Sequence, residues 1–364
     1  MRFVFLSYHY SSDIHAPEEW LDRIDFYVGS LEYLSKTNTV IRVDYINYEG
    51  VFMNKGVQYY CRKPSGRKNY FPLKLHRFVK SLKPDILVVA SFHDPIQIIQ
   101  CRLFLGKKVK IIVQNHAEKP ATGIKKQVQK IADKCINAYF FASEITGWEW
   151  VKKGTISSKR KIHEIMEVSS EFHPIDQKIA KLKTNITGYP VFLWAGRLNE
   201  NKDPLTVIKA FLKFHLLHPE ARLYLIYQTE ELLAKLKTLV SQSNCPSIYF
   251  IGKIPHKEMQ YWLNSADFIL SGSHYEGSGT VICEAMSCGV IPVVTNISSF
   301  KTITANGELG FLYKPGDVDA LVLAMGKAMS ANRIELRSKI LNHFKEHLSF
   351  EAIGQKIQDV AKKL

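Results

Sequence analysis

Short, almost unbroken apolar runs recur through the first half of the chain, at 2–7 (RFVFLS), 40–46 (VIRVDYI), 85–92 (DILVVASF), 109–115 (VKIIVQN) and 137–143 (NAYFFAS). Runs of this length read as strands covered on both faces, and segments of helical periodicity lie between them. This alternation predicts a parallel, doubly wound sheet. After the first run, YHYSSDIHAPEEW reads as a polar turn leading into a helix whose start is marked by Pro17, Glu18 and Glu19. The segment GVQYYCRKPSGRKNYFP, with Pro64, Gly66 and Pro72, interrupts the pattern as a basic loop.

The second half repeats the theme with PVFLWAG (190–196), RLYLIY (222–227), SIYFIG (247–252), DFILSGS and VIPVVT, separated by helical patterns from about Pro204, near 230–240 and at HKEMQYWLNSA. A second sheet of the same type is expected, since 364 residues exceed one ordinary core. The irregular, polar stretch from Ser169 to Gly188, containing KIAKLKTNITG, reads as a hinge. The division is therefore 1–170, 171–346 and a terminal segment 347–364, whose helix from about Phe350 carries Ile353, Ile357, Val360 and Ala361 at helical spacing. No short-period repeat or low-complexity segment is present.

Charge changes this picture locally. Between Val51 and Lys134 stand 18 Lys and Arg against four acids (Asp85, Asp94, Glu118, Asp133), a surplus of 14 in a chain of net charge +15. Such a region is either a solvated basic face or a surface for anionic lipid; a nucleic-acid role lacks any recognisable module. No apolar run reaches the roughly 18 residues that span a bilayer, and 1–8 reads as a strand rather than a leader. A cytoplasmic protein, peripheral at most on the inner face of a membrane, is expected. The six cysteines lack CxxC spacing and read as reduced core residues, and no clustered histidine completes a metal set.

Candidate chemistry concentrates in the stretch Ser271 to Asn296, SGSHYEGSGTVICEAMSCGVIPVVTN. Glu276 and Glu284 are separated by seven residues, and Glu284 lies in an apolar run where a carboxylate needs a partner. The Gly277, Ser278, Gly279 triplet precedes a helix, so backbone amides there suit an anion such as a diphosphate. Arg197 and Lys202, in AGRLNENKDP, add two cations after a strand and ahead of a helix start. By the rule for open α/β sheets, ligands lie beyond the carboxyl ends of strands, where His116, Arg197, Lys202, Gly252, Lys253 and Glu276 all fall. With Glu284 one and a half turns into its helix, the two carboxylates are on the order of 10 Å apart. That is longer than a glycosidase pair requires and suits an elongated ligand with hydroxyls at both ends, such as a nucleotide sugar.

The string EGSGTVICEAMSCGVIPVV resembles the E-x7-E signature of the retaining glycosyltransferases of family 4. AGRLNENKDP resembles that family's G-R-L and Lys loop, GKIPHKEMQYWLNSADFILSGS the segment before the signature and GELGFLYKPGDVDAL the segment after it, while ASE at 142–144 and KPDILVV are looser matches. The resemblance implies an α/β chain of GT-B fold, with two Rossmann-like doubly wound domains facing a central cleft. The first would bind the acceptor and the second the nucleotide sugar, and the last helix would cross back to the first. It also implies roles. Arg197 and Lys202, with Gly196 and the backbone of Gly277, Ser278, Gly279 and Thr280, would hold the diphosphate. Glu284 would hold the ribose, Gly252, Lys253 and Ile254 the base, and Glu276 and His116 would attend the transferred sugar. The family's Gly-Gly turn after the first strand is replaced here by Tyr8 and then His9, Tyr10, Ser11 and Ser12, which either line an acceptor site or pack the loop.

The implied activity is metal-independent, retaining transfer of a sugar from a UDP- or GDP-sugar to an acceptor hydroxyl on a glycan, polysaccharide or lipid-linked acceptor at the cytosolic membrane face. The nucleotide sugar is a substrate, so no cofactor is expected, and 51–134 is the expected contact with an anionic membrane. The competing expectations are another GT-B chemistry, such as a nucleotide-sugar epimerase, and a catalytically silent nucleotide-sugar-binding protein.

Overall fold

The computed structural model describes residues 1–64 and 71–364; Gly66, Arg67 and Lys68 of the expected basic loop lie outside the described residues. The chain forms two compact units, Met1–Ser169 with Phe350–Leu364, and Ser170–Ser349. Each is an α/β unit built on one sheet, as the apolar runs predict. No helix among the described residues is long and apolar enough to cross a membrane.

The first sheet contains β1 (Arg2–Ser11), β2 (Thr39–Ile46), β3 (Gly50–Asn54), β4 (Val57–Arg62), β5 (Ile86–Ala90), β6 (Lys110–Gln114), β7 (Ala138–Phe141) and β8 (Ile162–Glu164), in the order β3-β4-β2-β1-β5-β6-β7-β8. All neighbours pair in parallel except the β3–β4 hairpin. That hairpin corrects the sequence reading, in which 56–72 was loop. Lys55 (φ 42°) and Gly56 (φ 82°) make a two-residue turn with the left-handed backbone that such hairpins require, and Val57, Tyr59 and Cys61 alternate inward. A second correction concerns the turn expected at Tyr8. The strand bulges between Leu6 and Tyr10 and then continues, pairing Tyr10 and Ser11 with Tyr45 and Ile46. The Tyr8 hydroxyl anchors this run by meeting His76 Nε2 at 3.0 Å and Cys101 Sγ at 3.1 Å.

One face of the sheet buries Val4, Leu6, Leu87, Val89, Ile111 and Val113 in an apolar core. The opposite face carries a buried ion pair: Arg42 donates to both carboxylate oxygens of Asp44 (2.6 and 2.9 Å) and to the Tyr27 hydroxyl (2.6 Å), while Trp20 Nε1 donates to Asp44 (3.0 Å). The helices Pro17–Ser35 and Phe350–Lys363 cover this face. They approach closely through glycines, since a Cβ on Gly29 would stand 2.4 Å from the Phe350 ring and one on Gly354 2.9 Å from the Ser30 carbonyl.

The second sheet is entirely parallel, with β9 (Val191–Gly196), β10 (Arg222–Tyr227), β11 (Ile248–Gly252), β12 (Phe268–Ser271), β13 (Ile291–Thr295) and β14 (Phe311–Tyr313) in the order β11-β10-β9-β12-β13-β14. The stretch read as an irregular hinge contains a helix, Gln177–Thr184. Its frequent lysines hid the apolar stripe, but Asp176 caps it by accepting from the Lys178 and Ile179 amides, and Ala180 is buried. Thr184 Oγ1 lies 2.9 Å from Ser265 Oγ of the helix His256–Ser265, against which it packs.

Replacing Gly354 by Ala is expected to destabilise the first unit by about 1–3 kcal/mol, because the new methyl meets a helix carbonyl that cannot move alone. Thermal unfolding measures this, and an unchanged Tm would contradict the packing.

Candidate functional site

In the second unit the strand order reverses at β9, with β10 and β11 on one side and β12 to β14 on the other. In open sheets of this kind, ligands lie beyond the carboxyl ends of the strands at such a reversal, which is where the loops after β9 and β12 meet. Gly196 ends β9, Arg197 follows it exposed to solvent, and Lys202 comes just before the helix Pro204–His215. Asp203, in the left-handed region at φ 41°, caps that helix by accepting from the Thr206 amide. Gly272, after β12, sits against this turn, and a Cβ there would stand 2.6 Å from the Asp203 carbonyl. The close approach brings Lys202 Nζ onto Glu276 in an ion pair, both side chains being mostly buried.

Glu276 is also held from below. The Ser273 hydroxyl donates to its Oε1 at 2.6 Å, and the Ser273 carbonyl in turn accepts from Thr295 Oγ1 at 2.6 Å. Gly277 is half-buried and Ser278 buried, while Gly279 adopts φ 67° as the residue preceding the helix Thr280–Ser287. A side chain on Gly279 would meet Phe300 at 2.7 Å, so the turn demands glycine for both conformation and space. The amides of the first helical turn, Thr280 and Val281 among them, have no intrahelical acceptor and suit an anion.

Glu284 projects from this helix and is 6% exposed, and His256 Nε2 lies 2.7 Å from its Oε1. His256 opens the helix after β11 and has the Phe172 ring 5.1 Å away. In the preceding turn Gly252 has φ 86°, Lys253 is exposed and Ile254 half-buried. Each of the two glutamates thus has a basic partner from another loop. Sequence reading missed His256 and Ser273, because neither partnership is local; only the histidine following Pro255 at a helix start hinted at one.

The first unit has its own concavity, of about 590 Å³, at the reversal between β1 and β5. Its wall includes His9 and Tyr10 from the end of β1, His93 and Asp94 after β5, and His116 and Glu118 after β6, with Trp20, Tyr27 and Arg42 deeper. Ser11 is buried and Ser12 exposed, and neither lines it, so only half of the expected group 9–12 belongs to this wall. His116 sits in a tight turn where its amide donates to Glu118 Oε2 (2.6 Å) and Ala117 adopts φ 71°. Its Nδ1 pairs with Glu167, leaving 41% of the imidazole side chain open. Burial opposes the imidazolium, but Glu167 and then Glu118 outweigh it, and the His116 pKa is raised above its ordinary value. Glu118 Oε1 is buried with no hydrogen-bond partner. These two acids escaped sequence reading: Glu167 is 51 residues from His116, and Glu118 stood out only as one of four acids in a basic region.

Residues 176–347 match the model of the family described as glycosyl transferases group 1. The chain is 38% identical over 74 residues to an O-antigen chain mannosyltransferase B of Escherichia coli, a match covering 20% of this chain and 19% of that protein. The chain spans less than half the length of the curated relatives it matches first. A glycosyltransferase from Rickettsia africae has a TM-score of 0.75 at 15% identity, covering 100% of this chain and 97% of that one. Anabaena HepE in complex with UDP gives 0.75 at 15% identity, with 100% of both chains covered. The fold is GT-B, with two Rossmann-like units.

A raised folded-state pKa contributes stability that is fully present below the unfolded value near 6.5 and is lost as pH rises through the folded value. His116 is accordingly expected to titrate above 6.5 in an NMR pH series, and Glu167→Gln to bring it down. An unshifted His116 resonance in that variant would remove Glu167 as the cause.

Proposed function

We propose, from the match of residues 176–347 to the model of the group 1 glycosyl transferases, that the chain transfers a sugar from a nucleoside-diphosphate sugar to an acceptor hydroxyl, with retention of configuration and without a metal ion. The observation that carries this reading is the Lys202–Glu276 pair at the strand-order reversal of the second sheet, next to the turn that opens the helix Thr280–Ser287. Cation, carboxylate and helix amides there match the diphosphate and hydroxyls of such a donor.

Arg197, Lys202 and the first-turn amides stabilise charge developing on the leaving diphosphate, the place where preorganised donors contribute most. Glu284 accepts from the ribose hydroxyls, and its bond to His256 holds the carboxylate in position. Glu276 accepts from a hydroxyl of the transferred sugar, fixed by Lys202 and Ser273. Gly252 to Ile254 form the edge for the base. The concavity at His116 receives the acceptor, a glycan or lipid-linked hydroxyl compound, and His9 and Tyr10 stand on its wall. Anabaena HepE with bound UDP supports a uridine donor as the first to try.

A panel of UDP- and GDP-sugars, scored by release of the free diphosphate with and without acceptors, tests the reading. Glu276→Ala is expected to lower kcat by about 100-fold or more while nucleotide binding persists. Glu284→Ala is expected instead to raise the donor KM by about tenfold or more, the loss of hydrogen bonds to a charged group. Nucleotide binding without any transfer would make the chain a binding protein, and undiminished turnover in Glu276→Ala would end that residue's assignment.

A further inference from the structure

Exposed large apolar side chains are normal when scattered singly, but in the first unit four of them share one edge. Phe71 (71% exposed) and Leu73 stand at the start of the helix Leu73–Ser81, Ile96 in the first turn of Pro95–Leu105, and Ile124 (85% exposed) in the first turn of Gly123–Asp133. These helices follow β4, β5 and β6 and pack side by side. Their first turns therefore line the carboxyl edge of the sheet, where the concavity also opens. His93 and Asp94 of its wall directly precede Pro95 and Ile96, and Glu118 lies six residues before Ile124.

Among the described residues of 51–134, the exposed charge around this edge is mostly positive. Lys74, Arg77 and Lys125 are exposed beside the apolar residues. Of the four acids of 51–134, Glu118 and Asp133 are buried and Asp85 stands at the opposite, amino end of β5, where it accepts from the Arg2 amide; Asp94, on the wall of the concavity, is near enough to Lys125 to offset part of its charge, which leaves Lys74 and Arg77 unanswered by these four. Exposed apolar side chains among lysines and arginines along one edge match the boundary of an anionic bilayer, where the apolar tips enter the acyl region and the cations meet headgroup phosphates.

We propose that this edge, Phe71, Leu73, Ile96 and Ile124 with Lys74 and Lys125, docks the protein on an anionic membrane surface and turns the mouth of the His116 concavity toward it. The docking stands apart from the transfer reading and is measured without any sugar. It narrows the basic region to one face: Lys107, Lys108 and Lys134, which follow the far ends of the second and third helices, take no part.

Co-sedimentation with vesicles of phosphatidylcholine, alone and mixed with phosphatidylglycerol, tests the proposal. Binding is expected on the mixed vesicles, falling with added salt. The pair Ile96→Ser with Ile124→Ser should weaken it about tenfold or more, and Lys74→Gln or Lys125→Gln about fivefold each. Leu216→Ser, about as exposed as Ile124 but in the second unit, should bind as the unsubstituted chain does, and thermal melts establish that all variants fold. Equal binding to both vesicle types, or full binding by the edge variants, overturns the proposal. So does sedimentation equilibrium showing a dimer that the isoleucine variants abolish, which would assign the edge to a second copy of the chain.

Discussion

In each sheet the strand order reverses once, and the placement of the chemistry follows from that reversal. Connections to one side of the reversal cross one face of the sheet and connections to the other side cross the opposite face, so the loops at that point diverge. In the second unit the two loops at this point are nevertheless drawn together, with Gly272 packed against the Asp203 carbonyl, the His274 amide donating to the Asn201 carbonyl at 2.8 Å and the Asn201 side-chain amide to the Tyr275 carbonyl at 2.9 Å. A side chain at 272 would press the loops after β9 and β12 apart and strain the turn that carries Lys202. In the first unit the reversal between β1 and β5 holds the concavity instead, and the continuation of β1 past its bulge carries His9 and Tyr10 to the rim.

Charge in these units is placed in pairs. Arg42 and Asp44 are nearly inaccessible, yet their hydrogen bonds to each other, Tyr27 and Trp20 satisfy them, and Arg42 also lies 4.8 Å from the centre of the Tyr27 ring. Removing one member of such a pair would leave a buried charge at a cost of several kcal/mol. Lys202 with Glu276, His256 with Glu284 and His116 with Glu167 are paired as well, but the basic member of each is only partly covered, the two histidines less so than Lys202. That difference separates a structural pair from one able to exchange its partner for a ligand. The histidine of the buried Tyr8, His76, Cys101 group belongs with the structural pairs, since burial lowers its pKa to about 4 and keeps it neutral.

The strands of both sheets were legible in the chain because both of their faces are covered, which leaves short apolar runs that hardly depend on context. The β3–β4 hairpin was not, since an edge strand with one open face alternates weakly and sits among lysines and arginines. The helix Gln177–Thr184 escaped for a related reason: four of its eight residues are lysine or threonine at 178, 181, 183 and 184, and its stability comes from the Asp176 cap and from packing on the helix His256–Ser265.

The candidate site divides in the same way. By itself the sequence determined the two-sheet α/β plan, the glycine turn at 277–279 and the loops in which Arg197, Lys202, Glu276, Glu284 and His116 fall, because strand ends and helix starts are local features. The tertiary structure decided which side chains meet: Lys202 with Glu276 across 74 positions, His256 with Glu284 across 28, and His116 with Glu167 across 51. It likewise gathered Phe71, Ile96 and Ile124 onto one edge. The physical reason is that a parallel sheet brings every strand's carboxyl end to the same side, so residues far apart in the chain become neighbours through hydrogen-bonded register, which spacing along the sequence does not encode.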